Sequence, residues 1–167
     1  MAKYLFFILM FYNFSIAQTN WKSKKYDYQV EIPNGFQTKS ATGANVDFKV
    51  VDKYGNSIVI VVKKIPAEYK NKSIVDILGS PEESVNYWKE GANEIFNTPK
   101  LIKYGKTIIS NKQAYWMDYT TDNDTYYYKN YSIKKGELFF AITFFASKKE
   151  WNYYSAIWFR FKEQMKL

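Results

Sequence analysis

Strand-like segments follow one another in this chain with only short turns between them, and this order limits the fold more than any other feature. The second half of the chain contains four such segments, at 101–109, 112–120, 125–133 and 138–146. Each gap between them holds only a few residues, rich in Asn, Asp, Lys and Gly. Because parallel strands need a crossover of a dozen or more residues, turns this short predict antiparallel hairpins.

The first half of the chain adds three more strand-like segments. Apolar and polar residues alternate over 26–32, and Pro33-Asn34-Gly35 then predicts a turn. Segment 45–51 and the β-branched run 57–65 flank a hairpin turn at 52–56, in which Gly55 can take a positive φ. The run is apolar on both faces, which predicts a central strand covered on both sides.

Helix signals occur in only two regions. Ser73 is a candidate cap for a short helix, and Ser80-Pro81-Glu82-Glu83 combines a cap, an N-terminal proline and a capping-box glutamate. The helix that follows carries an apolar stripe of Val85, Trp88, Ala92, Ile95 and Phe96.

A second amphipathic helix is predicted over 148–165. Its inward stripe is Tyr154, Ile157, Trp158, Phe161 and Met165, with Lys162 at the margin. The order of elements predicts one α+β domain over 18–167, an antiparallel sheet of about six or seven strands with helices packed against it.

Residues 1–17 have the composition of a signal peptide. Lys3 supplies a positive charge, 4–14 is an apolar run, and Ser15-Ile16-Ala17 offers small residues for a peptidase. We expect cleavage after Ala17 and a periplasmic or secreted protein, with no transmembrane segment left afterwards, because the run is too short to span a bilayer.

The chain of 167 residues has neither cysteine nor histidine. This composition excludes disulfides, Cys nucleophiles, His-dependent triads and the usual zinc sites, and no cofactor is expected. The net charge of +8 comes from scattered lysines, and Arg160 is the single arginine. Nucleic-acid binding is therefore not expected, since proteins that bind it rely on arginine.

The element order resembles the PsbP-like or Mog1-like superfamily, in its exported bacterial branch of unknown function. The resemblance rests on Tyr28-Gln29-Val30-Glu31-Ile32-Pro33-Asn34-Gly35-Phe36, on the hairpin 47–65, on the helix with Trp88 and Phe96, on strands 126–146 and on the closing Trp158-Phe159-Arg160-Phe161-Lys162. It covers nearly all of 18–167 and implies a Mog1/PsbP-like α+β domain. Relatives include a photosystem accessory subunit and a small-GTPase-binding import factor, which implies a binding or assembly role without supplying functional residues.

A tyrosine-rich stretch is the most unusual local feature. Tyr127 and Tyr131 should face one side of a strand, and Tyr126 and Tyr128 the other. One pair is expected to pack under a helix, and the other is a candidate exposed face for a ligand or partner. The alternative is cross-strand packing against the segment from Phe139 to Phe145.

Carboxylates provide weaker candidates. Asp118, Asp122 and Asp124 suggest an oxygen-ligand cation site but lack the further ligands of an EF-hand, so a polar turn is favoured and no metal site is predicted. The pairs Glu82-Glu83 and Glu90-Glu94 have structural explanations at a helix start and on a solvent-facing stretch. No catalytic residue is assigned.

The expected function is therefore an exported, non-catalytic binding, assembly or accessory protein of the bacterial envelope. Its partner would be an unidentified envelope protein or glycan. The alternative is a polysaccharide hydrolase that uses two carboxylates, which would need to converge across a cleft.

Overall fold

The computed structural model describes residues 19–167, and the signal peptide expected at 1–17 lies outside this range. Nine strands and three α-helices follow in chain order. The strands are β1 Thr19–Lys22, β2 Gln29–Ile32, β3 Phe36–Thr38, β4 Val46–Asp52, β5 Ser57–Lys64, β6 Lys100–Ile109, β7 Lys112–Thr121, β8 Tyr126–Lys135 and β9 Leu138–Ser147. The helices are α1 Ile74–Leu78, α2 Pro81–Ile95 and α3 Trp151–Gln164.

Seven strands form one sheet in the order β3-β4-β5-β9-β8-β7-β6, and every neighbouring pair is antiparallel. The predicted α+β architecture is confirmed. The β6–β7 turn shows why the hairpins were predictable: Ser110 and Asn111 both have positive φ, as a two-residue hairpin turn of this kind requires.

The prediction missed two short strands and made a third too long. β1 pairs with β2 in a separate two-stranded sheet, and β3 is a three-residue edge strand. Strand β2 covers only the end of the alternating segment 26–32. Strands of three or four residues are too short to display the alternation that identifies longer ones.

Both predicted helix starts carry full capping boxes. Ser73 accepts a hydrogen bond from the Asp76 backbone amide, and Ser80 accepts one from that of Glu83. In return, the Ser80 amide donates to Glu83 Oε2 at 2.6 Å, which gives the Glu82-Glu83 pair its structural role.

The core lies between one face of the large sheet and helix α3, with β1–β2 closing one end. Trp158 and Phe161 pack against Phe144 of β9, and Phe161 also reaches Phe48 of β4. Of the predicted α3 stripe, Tyr154, Trp158, Phe161 and Met165 are buried and Ile157 is half-buried. The stripe is confirmed.

Two details of the prediction were wrong. Ile95 is exposed because α2 ends there, and its expected place over the sheet is taken by Phe96. By contrast, Lys162 is half-buried, as expected at the margin of the stripe, and its Nζ lies beside Glu163 and over the Phe159 ring. Strand β5 is central, but only its Ile58, Ile60 and Val62 face is buried, while the opposite face is half-buried.

Within residues 19–167, none of the helices has the length and apolar character needed to cross a membrane.

Candidate functional site

The tyrosine-rich stretch lies on β8 and packs on both faces of the sheet. Tyr127 and Tyr131 are buried beneath α3, where Tyr127 stacks on Trp151. Burial raises the pKa of both phenols, so they remain neutral donors. These two residues therefore do not contribute to an exposed face.

The other pair of this stretch faces α2. Tyr128 stacks on Tyr119 with ring centroids 4.9 Å apart and also contacts Phe96. Tyr126 is partly exposed and packs on Phe145 of β9. The tyrosine-rich stretch thus builds cross-strand packing, and a ligand-binding role for Tyr126 and Tyr128 stays a prediction.

A concave site lies elsewhere, between the β3–β4 edge of the sheet and the beginning of α3. It has a volume of about 690 Å³, which is in the range of small-molecule sites. The β4–β5 turn lines one part of it and residues 150–154 line another, and Gln37 of β3 and Lys39 beyond it complete the lining. We call this site the cleft.

The β4–β5 turn is held rigid by Asp52. Its Oδ1 accepts backbone hydrogen bonds from Tyr54 at 2.8 Å and Asn56 at 2.9 Å. Its Oδ2 accepts from Asn56 Nδ2 at 3.0 Å and from the Tyr154 hydroxyl of α3. The carboxylate therefore ties the turn to itself and to the helix.

These bonds decide the protonation state of Asp52. Burial alone would raise the pKa of this carboxyl, but the hydrogen bonds from Tyr154, Asn56 and the Tyr54 amide outweigh it, and the net pKa lies below the ordinary value. Asp52 is thus an anion at neutral pH. It also accepts four hydrogen bonds, one for each of its lone-pair sites.

Asn56 connects this carboxylate to a second one across the cleft. Its Nδ2 donates to Asp52 Oδ2 and lies 3.4 Å from Glu150 Oε2, while its Oδ1 accepts from the Ser147 amide. Glu150 also accepts from the Ser147 hydroxyl at 3.0 Å. Asn56 is buried, so this side chain locks the turn to the residues that precede α3.

Two tyrosines project from the walls of the cleft. Tyr54 is 66% exposed at the tip of the turn, and Tyr153 is 70% exposed on the outer side of α3. The Tyr153 ring meets Tyr154 edge-on at 5.0 Å, and Lys53 Nζ lies over the Tyr54 ring. Neither residue stands out in the sequence, because one belongs to a turn and the other to the polar side of a helix.

The candidate cation site does not assemble. Asp118 is buried on β7 and paired with Lys129 Nζ at 2.8 Å, whereas Asp124 contacts Thr120, Lys100 and Lys148. Within residues 19–167, no three acidic side chains are grouped as metal ligands would be. Glu90 and Glu94 lie exposed on α2 and are not among the residues that line the cleft.

No protein-family model and no curated protein matches this sequence. Solved structures do match the fold. Cyanobacterial PsbP (CyanoP) from Synechocystis sp. PCC 6803 superposes with a TM-score of 0.71, covering 93% of this chain and 95% of that chain at 16% identity. LpqN, involved in cell envelope biogenesis of Mycobacterium tuberculosis, superposes with a TM-score of 0.59, covering 92% of this chain and 86% of that chain at 8% identity.

These likenesses establish a PsbP-like α+β fold for residues 19–167, as the element order predicted. At such low identities they establish the fold alone. The functional argument therefore depends on the chemistry of the cleft.

Proposed function

We propose that this chain is an exported, non-catalytic binding or accessory protein of the bacterial envelope, and that it holds its ligand or partner in the cleft. One observation carries the proposal: two exposed aromatic residues, Tyr54 and Tyr153, line a concavity whose turn is fixed by hydrogen bonds to Asp52. Aromatic side chains that supply contact area without losing much conformational entropy are typical of binding sites.

Support for the envelope comes from two sources. The composition of residues 1–17 predicts a secretory signal, and LpqN, a fold neighbour, is involved in cell envelope biogenesis. N-terminal sequencing of the protein recovered from envelope fractions tests this step. We expect Gln18 as the first residue, and recovery of a chain that begins at Met1 would contradict export by cleavage.

The binding step is tested by crosslinking and affinity capture from envelope extracts. The protein should recover a specific envelope component, and Tyr54→Ala combined with Tyr153→Ala should abolish the recovery. Tyr87→Ala is the matched control, because Tyr87 is 72% exposed on α2 and is not among the residues of the cleft. Equal capture by all variants, or none by the wild type, would refute binding through the cleft.

A polysaccharide hydrolase is the second candidate, because Asp52 and Glu150 do approach each other in a concave site. Both contact Asn56 Nδ2, so their oxygens are no further apart than the two hydrogen-bond distances together. However, a nucleophile or general base needs a free lone pair, and those of Asp52 are occupied. Release of reducing sugar from a polysaccharide, abolished by Glu150→Gln, would establish the hydrolase and overturn the non-catalytic proposal.

A further inference from the structure

A second depression lies next to the cleft along α3, and Tyr153 lines both. This depression of about 180 Å³ lies between the β2–β3 turn and the outer side of the helix. Tyr153 lines both concavities, so its ring stands at the boundary between them. Together they form an elongated groove, and residues 153–164 alone span about 16 Å of helix at 1.5 Å per residue.

The charges of the groove balance, although the chain as a whole carries +8. The charged side chains that line it are three basic and three acidic: Lys39, Lys53, Arg160, Asp52, Glu150 and Glu31. A groove without net charge gives no electrostatic preference for an anionic or cationic chain, and it favours an uncharged polar one.

The remaining chemistry of the groove favours hydroxyl groups as binding partners. Gln37, Asn34 and Gln164 offer amide donors and acceptors along its length. In the second depression, Glu31 adds a carboxylate to these amides.

The exposed rings of Tyr54 and Tyr153 can bind the apolar face of a sugar. A tyrosine face is electron-rich, and a pyranose ring presents a face of polarised C–H groups with hydroxyls around its edge. Tyr54 and Tyr153 stand far enough out of the surface for a ring to lie against them. The β4–β5 turn that carries Tyr54 is fixed by the four hydrogen bonds to Asp52, so little order must be gained on binding.

We infer that the groove binds an uncharged oligosaccharide chain, with sugar rings stacked on Tyr54 and Tyr153 and the chain continuing toward Arg160. This inference rests on the proposed function, since both use the cleft, and it adds the chemical class of the ligand. It requires no bond to form or break.

Isothermal titration calorimetry of the purified protein tests the inference. The probes are cellohexaose, xylohexaose, mannohexaose, maltohexaose and chitohexaose, together with an anionic hexagalacturonate. At least one neutral hexasaccharide should bind, with little dependence on salt. Tyr153→Ala should weaken that binding roughly tenfold, as expected for the loss of one stacking platform, and Tyr87→Ala should leave it unchanged.

A second comparison tests the length of the groove. Arg160→Ala should lower the affinity for the hexasaccharide but leave the affinity for the corresponding disaccharide unchanged, because the shorter sugar need not reach the second depression. Arg160, Tyr153 and Tyr87 are all exposed, so unchanged circular dichroism and urea midpoints should show that the variants fold.

Three results would overturn the inference: no neutral hexasaccharide binds, Tyr153→Ala leaves the affinity unchanged, or hexagalacturonate binds more tightly than every neutral probe. The proposed function fails separately. If affinity capture recovers an envelope protein through Tyr54 and Tyr153 while no sugar binds, the cleft is a binding site and only the ligand class is wrong.

Discussion

Removing the indole of Trp158 should be among the most damaging single changes in this domain. Trp158 is 1% exposed, and its ring packs on Trp151 at 4.5 Å and on Phe144 of the sheet at 5.3 Å. Substitution of a buried tryptophan by alanine costs about 3–5 kcal/mol, from lost transfer free energy and the cavity that remains.

The lower part of that range is expected, because the Trp158 Nε1 atom has no hydrogen-bond acceptor among residues 19–167. Truncation therefore removes packing but no hydrogen bond. A loss of about 3 kcal/mol is a large share of the free energy of unfolding of a domain this size. With a urea m-value of about 2 kcal/mol/M, the midpoint of unfolding should fall by about 1.5 M.

Equilibrium urea unfolding, followed by far-UV circular dichroism, measures this change. Phe159→Ala is the matched control, because Phe159 is the next residue of the same helix but is 62% exposed. It should cost less than about 1 kcal/mol, chiefly through its contact with Lys162. Similar losses in the two variants would show that α3 is not docked through Trp158, and the description of the core would be wrong.

Other side chains give further predictions that the same urea assay can check. Lys129→Met should cost about 3 kcal/mol, because it leaves the fully buried Asp118 without its close cation, and the added change Asp118→Leu should recover most of the loss. Folding lowers the Asp52 pKa, so Asp52 contributes stability above the unfolded pKa of about 3.9 and loses it as pH falls through the folded value. The destabilisation by Asp52→Asn should therefore be larger at pH 7 than at pH 3, and a pH-independent difference would contradict this. Gly91→Ala, in the middle of α2 with open space around the new methyl, should stabilise the domain by about 0.5–1 kcal/mol. Gly105→Ala should not stabilise it, because the new methyl would lie 3.1 Å from an indole ring, and an equal gain at both glycines would refute this reasoning.

The hairpins and the α3 stripe could be predicted from the sequence because their signals are local. A turn such as Ser110-Asn111 depends on its own backbone, and the spacing that buries Trp158 repeats along one helix. Strands β1 and β3 could not be predicted, because too few residues display a pattern and their pairing is decided by distant partners.

The cleft could not be predicted for a related reason. Tyr54 and Tyr153 are far apart in the chain. Hydrogen bonds that Asp52 accepts from Asn56 and Tyr154 join their two walls, and Asn56 also reaches Glu150. Conversely, the density of tyrosines on β8 suggested a binding face there, but Tyr127 packs on Trp151 of α3 and Tyr128 packs on Phe96 on the opposite face of the sheet. Local composition showed where aromatic rings are abundant, but not which of them remain exposed.

Site-specific photo-crosslinking in living cells tests most directly whether the cleft is where this protein engages its ligand or partner. A photoreactive phenylalanine analogue would replace Tyr153 or Tyr54 at the cleft, or Tyr87 on α2 as the control; all three side chains are well exposed. We expect a discrete adduct, sugar or protein, from positions 54 and 153 and none from position 87. Adducts from position 87 alone, or no adduct from either position in the cleft, would contradict it.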